Sequence, residues 1–231
     1  MKTQIQKLSS SKLFYNKWPY KVECTIRGAV KVARYDLTLL KAWCQGENNT
    51  KSFYFGYGDK NINKLDLLTF ITAAEPFLKR KDTQIRAEGS HFNIFCKDFE
   101  VLEHIDNNLH RWIRSITGPT SVEEFNFMID NGHKKRLCDD LPKGKYKYKL
   151  FFKTKFPQDK RLVFASWAAK YQDKLEVGGV TERWLNGKLH WTQSPFMYVE
   201  DEKTLSMVGM FISGYVQKVE DFIPRNTIST A

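Results

Sequence analysis

The chain lacks most of what would announce a chemistry on sight. Its 231 residues hold four cysteines (Cys24, Cys44, Cys96, Cys138), widely spaced and without a C-x-x-C. They read as reduced, mostly buried thiols, and an intracellular protein is the expectation. Five histidines (His91, His104, His110, His133, His190) are scattered, with no pair at helical spacing beside a cysteine, so no metal site is expected. No G-x-x-x-x-G-K-[ST] and no G-x-G-x-x-G occurs. The glycines of FYFGYGD lead to no helix-opening lysine, so no cofactor is expected either. The N-terminus MKTQIQKLSSSKLFYNKW has no apolar core and reads as no secretory signal, which leaves the sequon at 48–50 without meaning. The longest uncharged stretch of concern, 204 to 217, is too short and too polar to span a bilayer. With 42% hydrophobic residues against 13 Gly and 7 Pro, disorder is excluded.

Aromatics and positive charge are abundant: 17 Phe, 10 Tyr, 6 Trp and a net charge of +11. The length suits one large domain or two small ones fused. The charge lies in two islands. Residues 2 to 41 hold nine Lys/Arg against Glu23 and Asp36, and residues 133 to 161 hold eleven against Asp139, Asp140 and Asp159. The remainder is slightly acidic. Clustered positive charge attracts polyanions, nucleic acid first and an anionic membrane surface second.

Hydrophobic spacing gives a coarse plan. Residues 1–19 read as a basic arm, partly ordered by Phe14, Tyr15 and Trp18; 20–118 as a first α+β unit; 119–224 as a second; 225–231 as a frayed tail. Tyr20 to Arg27 alternates as a half-buried strand, and SFYFGYG (52–58) reads as another. The spacing predicts helices over 34–44 and 65–78, with Pro76 kinking or ending the second. A hairpin turns at Gly89-Ser90. The next helix, capped by Asp98, has an apolar stripe from Phe99 through Trp112 and Ile113 to Ile116. A short helix follows at 120–131, then a lysine-rich strand, then a helix at 161–172. A second hairpin, GGVTERW to KLHWTQ, would turn at Asn186-Gly187. After the strand PFMYVED, a helix capped by Asp201 or Thr204 would run through Tyr215, Val219 and Phe222 to Pro224. Both halves thus follow β-α-β-β-α. The expectation is an α+β fold of two ferredoxin-like halves, or else one mixed sheet with helices on one face.

The lysine strand is the most informative segment. From Lys145 to Lys155 the odd positions are Lys145, Lys147, Lys149, Phe151, Lys153 and Lys155, and the even ones are Tyr146, Tyr148, Leu150, Phe152 and Thr154. Alternate side chains share a face ~7 Å apart, where like charges repel by about 1 kcal/mol or less per pair. Lysines guard edge strands against aggregation. That role needs one or two and leaves the basic flanks unexplained, whereas phosphates lying across the face explain both. The candidate contacts are Lys134, Lys135, Arg136, Lys143, Lys145, Lys147, Lys149, Phe151, Lys153, Lys155, Lys160 and Arg161, with Lys12, Lys17, Lys21 and Arg27 in the first island. Phe151 could stack a base. The other aromatics are expected off the lysine face and no RNP1-like run occurs, so sequence-specific readout is not expected.

Two motifs touch on catalysis. Asp201-Glu202-Lys203 reads as a helix cap rather than a nuclease D-x-K. Tyr215-Val-Gln-Lys218 matches Y-x-x-K and resembles, over four residues, the nucleophile motif of rolling-circle replication endonucleases. In that family a tyrosine attacks a DNA phosphate beside a lysine while paired histidines hold a metal. Here only His190 stands upstream, and Tyr215 falls on the apolar stripe. The expectation is a non-enzymatic protein binding single-stranded nucleic acid, RNA in preference, with little sequence specificity. A viral or phage replication or packaging protein would fit such a chain. The alternatives are an endonuclease using Tyr215, Lys218 and His190, or a structural or assembly protein with basic arms, and a homo-oligomer is compatible with any of these.

Overall fold

In a computed structural model the chain is described over residues 5–47, 62–132 and 134–228. The strand expected at 52–58 and His133 lie outside the described residues. The fold is α+β, with two mixed five-stranded sheets rather than one. The chain divides into Met1–Phe125 and Asn126–Ala231.

In the first unit β1 (Gln6–Ser9), β2 (Tyr20–Thr25), β3 (Thr83–Glu88), β4 (His91–Cys96) and β5 (Ile113–Gly118) line up as β1-β5-β2-β4-β3. β1 runs parallel to β5 and the other pairs are antiparallel. The basic arm is therefore built into the sheet: β1 forms its edge, and Leu13 and Trp18 are buried behind it. Helices α1 (Ala29–Arg34), α2 (Leu37–Gln45) and α3 (Lys64–Leu78) connect β2 to β3, and α4 (Phe99–Leu109) connects β4 to β5. Pro76 lies in the last turn of α3, which ends two residues later. Val22 and Cys24 of β2 and Phe92 and Ile94 of β4 face Phe70, Ile71, Val101 and Ile105 of the helices, making one fully apolar core.

The second unit repeats this order. Its strands are β6 (Lys135–Cys138), β7 (Tyr148–Phe152), β8 (Leu175–Val177), β9 (Phe196–Val199) and β10 (Val216–Pro224), arranged β6-β10-β7-β9-β8 with β6 parallel to β10. Its helices are α6 (Gln158–Ala168), α7 (Gly179–Leu185) and α8 (Glu202–Ile212); α5 (Val122–Asn131) precedes β6. Leu150 and Phe152 of β7 and Met197 and Val199 of β9 pack on Phe164, Trp184, Val208 and Ile212. The correspondence extends to detail. Asp98 and Asp201 each cap a helix of 11 residues by accepting a hydrogen bond from the backbone N–H three residues on. Each helix passes through three residues of 3-10 helix into the last strand of its sheet.

Those last strands correct the sequence reading. Ile113–Gly118 and Val216–Pro224 are strands, not helix ends. Their apolar residues extend the 3.6-residue stripe by coincidence, and pairing with β2 and β7 decides their conformation. The expected second hairpin is also absent. Gly179–Leu185 is helical because Thr181, Trp184 and Leu185 share one buried face, and Gly187, at φ +71°, follows the helix end instead of closing a strand turn.

Burial pushes the Cys24 and Cys96 thiols up to about 12, while Cys44 and Cys138 are only half-buried. Alkylation of the native protein at pH 8 is expected to modify Cys44 and Cys138 first, with Cys24 and Cys96 reacting only after denaturation, as peptide mass mapping would show. Replacing Asp98 or Asp201 by alanine is expected to cost about 1 kcal/mol each in urea unfolding, the usual loss of an N-cap.

Candidate functional site

β7 is the central strand of its sheet, hydrogen-bonded to β10 on one side and β9 on the other. Edge protection therefore cannot explain its lysines, since β7 has no open edge. The strand is also shorter than the lysine run. Within Tyr148–Phe152 the alternation holds: Leu150 and Phe152 are buried in the core, while Lys149 and Phe151 point to the face away from the unit's helices.

Neighbouring strands complete that face. In register, Lys149 stands opposite Tyr198 and Phe151 opposite Phe196 on β9, while Lys218 and Glu220 of β10 stand opposite Phe151 and Lys149. The Lys149 ammonium lies 3.7 Å from the centre of the Phe196 ring and 5.0 Å from that of Phe151. Lys218 lies 4.3 Å over Phe151 from the other side. Phe151 and Phe196 are 6.0 Å apart, Phe196 and Tyr198 5.5 Å, and Tyr198 and Phe222 6.1 Å. The aromatics do lie on the lysine face, contrary to the sequence expectation. Phe151, Phe196 and Tyr198 are half-buried, each a ring set in a sheet surface with cations beside it. Glu220 sits beneath this surface, 2% exposed, and holds Lys218 at 2.7 Å and Arg136 at 3.9 Å.

The other candidates scatter from this centre. Lys147 is exposed just before β7, its carbonyl accepting from the Phe222 N–H at 2.7 Å. Lys145 donates to the Asp173 carbonyl and covers Tyr146, whose ring stacks on Tyr198 at 5.9 Å. Lys143 pairs with Glu176. Lys153 donates to the Gly214 carbonyl at 2.9 Å, and Lys155 lies exposed in the turn after β7. Lys134 is exposed, and Lys135 leans toward the Phe127 ring at 5.9 Å. Hence the five lysines do not share one face: Lys149 alone lies within β7, and Lys147 borders it.

Arg161 is not a surface contact at all. It is 5% exposed, its Nη1 donates to the Trp184 carbonyl at 2.7 Å, and its guanidinium covers the Trp184 ring at 4.6 Å. Desolvation lowers its pKa from the ordinary arginine value. It serves the end of α7, where carbonyls lack helical partners.

In the first unit, Lys12, Lys17 and Arg27 are exposed, with Lys17 lying 4.3 Å over Trp18. Lys21 bonds Glu23 at 3.1 Å. Burial would raise the Glu23 pKa, but the Lys21 hydrogen bond and the charges of Lys21, His91 and Arg114 outweigh it and hold the carboxyl below its usual range.

Tyr215 and Lys218 are parted by the fold. Tyr215 ends a 3-10 turn and stacks on Phe156 at 4.4 Å, whereas Lys218 belongs to β10 and faces Phe151. The Tyr215 hydroxyl meets Lys160 instead, which raises the Lys160 ammonium above its ordinary value. The corresponding aromatic of the first unit, Trp112, packs edge-on against Phe70 at 5.3 Å. Tyr215 thus occupies a packing position common to both units. His190 is exposed in the irregular segment before β9.

Among the described residues, no three His, Cys, Asp or Glu side chains gather as a metal site, and no helix is long and apolar enough to cross a membrane. No family model matches the chain, and no curated protein or solved structure matches it either.

Arg161→Met is expected to lower stability by about 1–3 kcal/mol, because the Trp184 carbonyl loses its buried guanidinium donor and keeps the longer bond from the Gly187 N–H at 3.2 Å. Lys155→Gln should stay within about 0.5 kcal/mol of the wild type in the same denaturant titration.

Proposed function

We propose that the protein binds single-stranded nucleic acid, RNA in preference, across the face of the second sheet that points away from α6, α7 and α8. The observation that carries this reading is the position of Lys149: central in the sheet, among Phe151, Phe196 and Tyr198, with Lys218 on the next strand. Rings on a sheet surface offer flat contacts for unstacked bases, and every base has a π-face, so such contacts tolerate sequence. Ammonium groups between the rings suit the phosphates that link those bases. A bare lysine strand would support phosphate attraction alone. The rings add a reason for the strand to be single, because bases paired in a duplex cannot lie flat on a sheet.

Glu220 limits which cation can be tested cleanly. Removing Lys218 would leave a buried carboxylate short of a close partner. Lys147 and Lys149 are the better targets. Each phosphate contact contributes about −0.7 to the slope of log K against log salt for a single strand, so the double change to Gln should shallow it by about 1.4. Phe151→Ala should instead weaken binding by about 1–3 kcal/mol and leave the slope as it was. Fluorescence anisotropy with labelled rU and dT oligomers at several salt concentrations measures both effects. An unchanged slope in the double variant would refute the reading. Tyr215→Phe should leave affinity unaltered, and strand cleavage lost with that hydroxyl would favour an endonuclease instead.

A further inference from the structure

The first unit carries a cavity of about 600 Å³ on the corresponding face of its own sheet. One wall is the segment that links β1 to β2; the floor is strands β2, β3, β4 and β5. Lys12, Lys21 and Arg86 line it, and Glu88 at its rim pairs loosely with Arg86 at 3.7 Å. Cations outnumber carboxylates among the lining side chains, so the cavity favours an anion.

Two further features make it more than a basic hollow. Asn93 lines the cavity, and its buried Oδ1 has no hydrogen-bond partner among the described residues. A buried amide oxygen left in this way costs stability unless a ligand satisfies it. The wall is also held in an uncommon conformation. Tyr15 and Asn16 have φ of +52° and +57°, in a tight turn closed by the Phe14 N–H to the Trp18 carbonyl at 2.7 Å. A tyrosine in the left-handed region is uncommon and is sustained by its surroundings. Here the ring stands edge-on against Phe95 at 5.0 Å, its hydroxyl meets Arg86 at 2.9 Å, and half of its surface remains exposed.

We propose that this cavity is a nucleotide site: Lys12, Lys21 and Arg86 receive the phosphate, the exposed Tyr15 ring stacks the base, and Asn93 hydrogen-bonds the base edge. The same chemistry is offered by a free nucleoside monophosphate and by the phosphorylated end of a strand. The site shares no residue with the sheet face of the second unit, so either can fail alone.

The test is isothermal titration of the full chain with AMP, adenosine and inorganic phosphate. AMP should saturate one site more tightly than either fragment. Arg86→Gln and Asn93→Ala should each weaken it about tenfold, the scale of a hydrogen bond to a charged or buried group. Lys149→Gln should leave AMP binding at the wild-type value. Circular dichroism checks the fold of the Asn93 variant, and Arg86, exposed on an edge strand, gives a second variant that leaves the core untouched. Displacement of AMP by a 5′-phosphorylated but not a 5′-hydroxyl oligomer would assign the site to a strand end, and failure of both to displace it would assign it to the free nucleotide. Absence of saturable AMP binding overturns the proposal. So does phosphate binding as tightly as AMP, or Arg86→Gln binding AMP as the wild type does.

Discussion

The carboxylate of Glu220 ties together the face of the second sheet that points away from α6, α7 and α8. A buried charge costs several kcal/mol unless cations and hydrogen bonds surround it. Glu220 is 2% exposed, and Lys218 and Arg136 converge on it from β10 and β6. Lys149 stands opposite it in register. These cations are thereby held beside the rings of Phe151 and Phe222 instead of ranging through solvent. Holding them costs entropy during folding, and under the proposed function a strand would find them already placed. The charge pattern of the face is thus a consequence of one buried acid as much as of many exposed bases.

The two units use the same strand order to different ends. Tyr20-Lys21-Val22-Glu23-Cys24 and Tyr148-Lys149-Leu150-Phe151-Phe152 occupy the same central strand, with a lysine at the same place on the side away from the apolar core. In the first unit that lysine bonds a carboxylate and the link from β1 to β2 covers part of the face, leaving an open cavity beside it. In the second it lies among aromatic rings. Because β1 and β6 each pair with the last strand of their own sheet, each link must cross from the edge to the centre of the sheet. What that link carries decides whether the face becomes a pocket or a platform.

The secondary structure misread from the sequence failed for two reasons. Ile113, Ile116, Val219 and Phe222 satisfy a helical stripe drawn on from α4 and α8, yet they are β residues. A local period cannot register that β2 and β7 each offer a free side for a returning strand. The helix Gly179–Leu185 was hidden by glycines and by an Asn-Gly pair that serve a helix end as readily as a hairpin.

The sequence by itself determined the α+β class, the half-buried alternation of Tyr20–Thr25 and Tyr148–Phe152, the cap at Asp98, a second cap at Asp201 or Thr204, and two basic islands, because each depends on neighbours a few residues apart. Tertiary structure decided the rest. The place of β7 at the sheet centre, the rings of Phe196 and Tyr198 beside Lys149, the burial of Arg161 against Trp184 and the parting of Tyr215 from Lys218 all follow from strand pairing and packing over long separations. A one-residue slip in pairing would turn every one of those rings to the other face, and only the buried core, which must keep Leu150 and Met197 together, selects the register that is seen.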